Sequence, residues 1–359
     1  MRFLTELAGK LGRRAVLIPT SDDTSVFTAR FRDELREYYS FQDNSLWLVE
    51  NLASKEGMFK LARKNNFPTP FTVFPKNRKE VEQYSQETRY PVMLKGIDGN
   101  RLERRTGKKM VLVENSEALL REYLILEDPD NPNLMIQEYI PGGDDQVFIF
   151  NGYFDKNSDC LVGFTGFKLR QFPIHVGCAA LGECSWIQQV ADQTIHFLKQ
   201  VGYQGIVDIG YRLDPRDGVY KVLDINPRVG QAFRLFLAEN EMDVIRALYL
   251  NLTGQEVPPS ISREKRRWAI EDFDVVSSLH YHWEGSLTFR EWLTSFKGLE
   301  ETLWFDWKDV RPFLKMVMGL LQKCAIWAGK KLHLITDEKK TSISAHYEHT
   351  IQTNSVSEA

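Results

Sequence analysis

The sequence predicts an α+β protein with a short, incomplete α/β region at its N-terminus and a helical extension at its C-terminus. Two observations carry this. Apolar strands at 146–153 and 160–168, and again at 205–213 and 219–226, follow one another across tight polar turns, with a helical stretch at 183–201 between the pairs and others at 55–65 and 116–126 before them. After Pro258-Pro259 the composition shifts toward tryptophan and basic residues, with a long amphipathic helix beyond.

In order, residues 1–45 give an amphipathic helix (Phe3 to Leu11), a strand Ala15-Val-Leu-Ile, and a helix around Phe27–Tyr38. Ser54 caps a helix that runs to Asn65, and Phe67–Pro75 is extended and punctuated by prolines. Arg78–Ser85 reads as a helix and Tyr90–Lys95 as a buried strand. Gly96–Lys109 is a glycine-bearing basic loop, and Met110–Val113 is the returning strand. Ser116–Leu126 is helical, and Leu134–Ile140 is an apolar strand broken at Pro141-Gly142-Gly143. Gly177–Gly182 reads as a small-residue loop, and Gln231–Leu252 as a closing helix. In the helix from Pro312 to Trp327, Lys315, Gly319, Gln322 and Lys323 form a polar stripe beside a broad apolar face. Residues 336–359 are polar and expected to be disordered.

The chain has 359 residues, room for two or three domains, and 46 basic against 49 acidic residues imply no general nucleic-acid affinity. No apolar run reaches the length of a membrane span, and the N-terminus lacks the apolar core of a secretory signal. Cys160, Cys178, Cys184 and Cys324 show no CxxC spacing, so reduced thiols and a cytoplasmic location are expected.

The sharpest chemical signal lies in the last strand pair. If the run Asp214-Pro215-Arg216-Asp217-Gly218 closes symmetrically about Arg216, Asp208 lies across from Asp224, and Asn226 shares their face. Facing carboxylates repel unless a cation sits between them, and this oxygen-only set suits Mg²⁺. The plainer alternative is a solvated hairpin with incidental acids. Lys95 ends an apolar strand, where it must reach water or an anion. The basic loop after it either folds over phosphates or is an exposed hairpin tip. The strand ending at Gln137-Glu138-Tyr139-Ile140, followed by Asp144-Asp145, offers an edge for a purine and a carboxylate for a ribose, or is a plain strand and turn. Lys168 and Arg170 alternate on one strand, so they share a face suited to a carboxylate or γ-phosphate, and Arg228 adds a third cation. His280 and His282 alternate on a strand-like segment, but no third metal ligand is visible.

Taken in order, Lys55, Lys95, Gln137–Ile140, Asp145, Lys168, Asp208 and Asp224-Ile-Asn226-Pro-Arg228 make the chain resemble the ATP-grasp superfamily over roughly residues 50–255. Val16-Leu-Ile-Pro-Thr-Ser-Asp, Pro141-Gly-Gly-Asp-Asp, Lys168-Leu-Arg-Gln-Phe-Pro and Asp224-Ile-Asn-Pro-Arg make it similar to carboxylate–amine ligases of the D-aspartate ligase-like group. The resemblance implies two α+β lobes clasping ATP, at 46–133 and 134–255. A partial domain at 1–45 would precede them, with an extension at 256–335 and the tail at 336–359 to follow.

By the same resemblance, Lys55 and Lys95 contact the nucleotide phosphates, Gln137, Glu138, Tyr139 and Ile140 bind adenine, and Asp145 (or Asp144) binds ribose. Lys168 meets the γ-phosphate, and Arg170 and Arg228 orient phosphate or acceptor carboxylate. Asp208, Asp224 and Asn226 hold one or two Mg²⁺ ions, for which Mn²⁺ can substitute. ATP phosphorylates a small carboxylate and an amine attacks the acyl phosphate, so alignment and charge neutralisation replace an enzyme nucleophile. The upstream domain is shorter than in such ligases, as though the chain starts partway through it. Asp224 stands where Glu is common, and His175 is either a selector of the amine or structural. A catalytically decayed nucleotide-binding regulator, or a membrane-associated assembly protein, is the alternative. Helix 312–327, with Lys330-Lys331 beyond its end, either lies on a membrane surface or packs on the main domain or at a homodimer interface.

Overall fold

Two short N-terminal strands, β1 (Ala15–Val16) and β2 (Tyr39–Ser40), pair in parallel. Ala8 and Phe27 from flanking helices pack with Leu35, Tyr39 and Phe41 against them. A computed structural model describes residues 1–331, so the expected disordered tail 336–359 lies outside the described residues. The single helix expected at 27–38 is instead two helices, Asp22–Arg30 and Arg32–Leu35. The first starts early because Ser21 and Thr24 form a reciprocal capping box. Helix Lys55–Lys64 starts at its expected cap, Ser54, and an unexpected helix, Leu46–Ala53, precedes it.

A four-stranded antiparallel sheet follows, from β3 (Thr72–Val73), β4 (Val92–Gly96), β5 (Met110–Val113) and β6 (Leu134–Glu138), in the order β3-β6-β4-β5. Val81, Leu119 and Tyr123 from two helices pack on Val92, Leu94 and Ile136. Strand β6 belongs to this sheet, so the crossing to the next sheet comes after Glu138, not at residue 134. The expected basic loop at 96–109 contains a helix, Gly99–Thr106. Asp98 caps it by accepting from the Arg101 N–H, Gly107 ends it at φ 74°, and only Leu102 is buried. One apolar side chain in eight residues gives no periodicity to read.

The larger sheet contains β7 (Val147–Phe154), β8 (Cys160–Phe172), β9 (Cys178–Cys184), β10 (Gly205–Asp214), β11 (Val219–Asn226), β12 (Arg267–Ala269) and β13 (Leu299–Thr302), in the order β11-β10-β7-β8-β9-β12-β13. Helix Gln188–Val201 covers one face, with Phe197 and Leu198 in a core with Phe150, Phe154 and Tyr211. Phe236, Leu248 and Trp268 pack with Ile149 and Phe164 in a second core. The expected loop at 177–182 is strand β9, whose Ala179 and Ala180 are buried. The expected helix 231–252 is a 3₁₀ turn at Phe233–Leu235 and, after the Asp243 cap, a helix Val244–Leu252. His280 and His282 lie exposed on helix Glu271–Trp283, where residues two apart diverge, so they do not form a metal pair.

Residues 256–303 are therefore not a helical appendage, since β12 and β13 extend the large sheet. The chain divides into two units, 1–303 and the remainder from 304. In the second, the helix is Arg311–Lys331, and Phe305 meets Phe313 edge-on at 5.4 Å. Among the described residues no helix is long and apolar enough to cross a membrane.

Irregularities in β8 at Lys168–Gln171 break the strand alternation that was expected to aim Lys168 and Arg170 the same way. Arg170 is buried and pairs with Asp274 at 2.6 Å, with Ser295 Oγ accepting from it at 2.8 Å. Trp292 Nε1 donates to the other Asp274 oxygen at 3.0 Å. Arg170 therefore ties β8 to residues 274–295 of the same unit. Asp274→Ala leaves this guanidinium buried without its counter-ion, and is expected to cost about 3–5 kcal/mol in urea denaturation.

Candidate active site

Between the four-stranded and seven-stranded sheets of the first unit lies a cleft of about 900 Å³, within the range of small-molecule sites. Lys55, Lys95 and Lys168 line it, as do Gln137, Glu138, Tyr139 and Ile140. Alternation along β4 buries Val92 and Leu94 and leaves Met93 and Lys95 to the cleft. Lys95 Nζ donates to Gln137 Oε1 at 3.1 Å, and Gln137 Nε2 donates to Thr72 Oγ1 at 3.0 Å. Burial first, then neighbouring Lys55, pushes the Lys95 ammonium down to about 7, with Asp224 opposing.

Arg212, which the sequence reading missed, also lines the cleft. It donates from Nε to the Ile140 carbonyl at 3.1 Å and from Nη2 to the Gly142 carbonyl at 2.6 Å. The Glu138 carboxylate accepts from the Phe71 N–H at 3.1 Å and pairs with Arg216. The chain between the sheets is thus held at both ends by the β10–β11 hairpin. Arg212 was findable, as it falls two residues past Gly210 on the strand that carries Asp208.

The hairpin register corrects one expectation. Asp208 lies across from Asn226, and Asp224 across from Gly210, because the turn closes with Asp214 opposite Val219, one residue off the symmetric register, and an irregularity at Gly210/Tyr211 shifts the pairing by one more. Asp208, Asp224 and Asn226 nevertheless line the same cleft. Asn226 Nδ2 sits 3.0 Å from Asp224 Oδ2 and 3.4 Å from Asp208 Oδ2, so its partial positive charge offsets their repulsion. Two glycines make room. A Cβ at Gly210 would meet Asp224 Oδ1 at 2.3 Å, and one at Gly230 would meet the Asp208 carboxyl carbon at 2.3 Å. Asn151 Nδ2, across the sheet, reaches Asp208 Oδ1 at 3.4 Å. Burial first, then Asp224, pushes Asp208 up to about 6, with Arg228 opposing. Among the described residues no group of three or more His, Cys, Asp or Glu side chains is placed to hold a metal. A divalent ion here would draw on two carboxylates and an amide, with water and phosphate oxygens completing a shell suited to Mg²⁺.

Arg228 spans Asn226 and Asp22, donating to Asn226 Oδ1 at 3.1 Å and to Asp22 Oδ1 at 3.0 Å. Lys168 Nζ donates to the Gly177 carbonyl at 2.8 Å. Arg170 is absent from the cleft lining, and Asp144 takes the place expected for Asp145. Asp145 is exposed and accepts from Gln146, whereas Asp144 accepts from Tyr281 OH and meets His175 Nδ1 at 3.1 Å. His175 Nε2 meets Glu284 at 3.0 Å. Burial opposes its charge, but Glu284 and Asp144 hold its pKa above the usual imidazole range. His175 is thus fixed at the cleft wall in an ion cluster.

Asp208 keeps its proton in the folded state at a pH where the unfolded chain has lost it. Its contribution to stability is therefore present below about pH 4 and is lost as pH rises through about 6. Asp208→Asn should gain stability over the parent between those values and hold that gain above them, as read by urea denaturation across the range.

No family model matches the chain. D-aspartate ligase of Enterococcus faecium is 24% identical over 258 residues, 68% of this chain and 60% of that protein. The chain thus spans under two thirds of that relative's length. Among solved structures, the biotin carboxylase domain of Hydrogenobacter thermophilus 2-oxoglutarate carboxylase, with MgADP, ADP and bicarbonate, matches at TM-score 0.58 and 16% identity over 74% of this chain and 60% of its own. Biotin carboxylase from Campylobacter jejuni gives 0.56 and 14%, over 71% and 57%. N5-carboxyaminoimidazole synthase from Aspergillus clavatus, with ADP and 5-aminoimidazole ribonucleotide, gives 0.51 and 11%, over 67% and 61%. At these identities the structural likeness is one of fold.

Proposed function

Because the chain has the ATP-grasp fold, we propose that it is an ATP- and Mg²⁺-dependent ligase that activates a carboxylate as an acyl phosphate for attack by an amine. The observation that carries this is the meeting, in one cleft, of the Lys55, Lys95 and Lys168 ammonium groups with an Asp, Asp, Asn oxygen set. Lys55 and Lys95 bind the nucleotide phosphates, and the strand end Gln137–Ile140 receives adenine. Asp144 rather than Asp145 faces the ribose position. Lys168 neutralises the γ-phosphoryl group, and Arg228 orients phosphate or the acceptor carboxylate. Asp208, Asp224 and Asn226 hold Mg²⁺, whose charge offsets that of the transferring phosphoryl group.

The chemistry asks for alignment and neutralisation rather than a protein nucleophile. The thiol in the cleft fits that demand, since burial pushes Cys178 up and away from the thiolate form. The proposed amine is an amino acid or a peptide-like acceptor and its partner a small carboxylate; the name of the Enterococcus relative gives an amino acid as one of the groups that protein joins.

A screen of ADP release over amino acids of both chiralities, with and without candidate acids, tests this, with mass spectrometry of the product. Asp224→Ala and Lys95→Ala are each expected to abolish amine-dependent ADP release with unchanged circular dichroism. Full activity in either variant removes the site. An anion beside Lys95 favours its charged form, so nucleotide binding at about pH 8 should take up about one proton. Calorimetry in buffers of different ionisation enthalpy reads this uptake, and Lys95→Met should lose it.

A further inference from the structure

The segment after β2 replaces a strand with side chains. Gln42 and Asn44, both buried, lie along the start of β10. Asn44 accepts from the Gln204 N–H at 3.0 Å and donates to the Gln204 carbonyl at 2.6 Å. Gln42 Oε1 accepts from the Ile206 N–H at 3.0 Å, two residues before Asp208. Its Nε2 donates at 3.0 Å to the carbonyl of Pro227, the residue after Asn226. One amide thereby joins the site-bearing ends of both hairpin arms. Ser25 Oγ, also buried, donates to the same Pro227 carbonyl at 2.8 Å. The contact is built in closely, since a Cβ on Gly205 (φ +109°) would lie 2.4 Å from Gln42 Oε1. Pro227 opens the loop that carries Arg228 and brings Gly230 against the Asp208 carboxylate.

We infer that Gln42 is a positioning residue for the divalent-cation site, pinning Pro227 so that the loop to Gly230 stays folded over Asp208. The N-terminal region is then a working part of the cleft. This rests on the proposed function, which supplies the cation. Gln42 touches neither carboxylate and acts through the backbone.

Mn²⁺ titrated into the full chain with ADP, and followed by electron paramagnetic resonance of the free ion, gives a binding midpoint independent of turnover. Gln42→Glu keeps the acceptor for Ile206 but sets an oxygen against the Pro227 carbonyl. Its midpoint should rise about tenfold, the usual scale for residues that orient metal ligands. Asn44→Ser loosens the same segment without touching Pro227, and should lower Tm at an unchanged midpoint. If Gln42→Glu does not fold, Ser25→Ala is read in its place, with about a fivefold rise expected for one lost hydrogen bond. An unchanged midpoint in the folded variant, or an equal rise in Asn44→Ser, overturns the inference. If the parent chain binds no Mn²⁺ with ADP, the proposed function itself falls, a result distinct from either of these.

Discussion

The cleft is organised around the closeness of two carboxylates, Asp208 and Asp224, on one hairpin with too little positive charge between them. Their repulsion has to be borne by the fold. The Asn226 amide sits between them, Asn151 approaches Asp208 from the neighbouring strand, and Gly210 and Gly230 give the carboxylates room. Burial first, and the neighbouring Asp224 second, hold the pKa of Asp208 above the usual carboxylate range. An arrangement that costs stability when nothing is bound makes sense where a ligand brings the missing charge. Lys95 faces the converse cost, since burial and neighbouring Lys55 both oppose its charge.

The frame that bears this cost runs through the whole first unit. From the hairpin, Arg212 and Arg216 grip the chain passing between the sheets, at Ile140, Gly142 and Glu138. From the other end of the sequence, Arg170–Asp274 and Arg267–Glu183 fasten β8 and β9 to the residues beyond 260. His175 joins the β8–β9 turn to Asp144 and Glu284. Residues 256–303, which composition alone set apart after Pro258-Pro259, are thus continuous with the large sheet.

What could be read from the sequence was what periodicity and turn chemistry encode. The hairpin arms, the strand ending in Lys95 and the Ser54 cap fall where local signals put them, and the ordered motifs pointed to the fold. What escaped depended on neighbours distant in sequence. The irregularity beside Gly210 moved Asp208 opposite Asn226, and those in β8 turned Arg170 into the core. Neither leaves a mark on hydrophobic alternation. The helix Gly99–Thr106 has a single buried leucine, and β9 is made of small residues that read as a loop. That Asp144 and not Asp145 lines the cleft depends on a contact with Tyr281, far away in sequence.

The cationic lining has a bearing on kinetics as well as on binding. The chain carries a net charge of −3, yet Lys55, Lys95, Lys109, Lys168, Arg212 and Arg228 open onto one concavity, outnumbering Glu138, Asp144, Asp208 and Asp224 on the same walls. Low-dielectric walls focus such a field outward, so a polyanion diffusing nearby is guided to the mouth while most of the surface gives it little pull. Dissolved ions shorten the reach of that guidance to about 8 Å at physiological ionic strength. How quickly the cleft fills is therefore a property of the surrounding electrolyte, whereas what happens once it is full belongs to the protein.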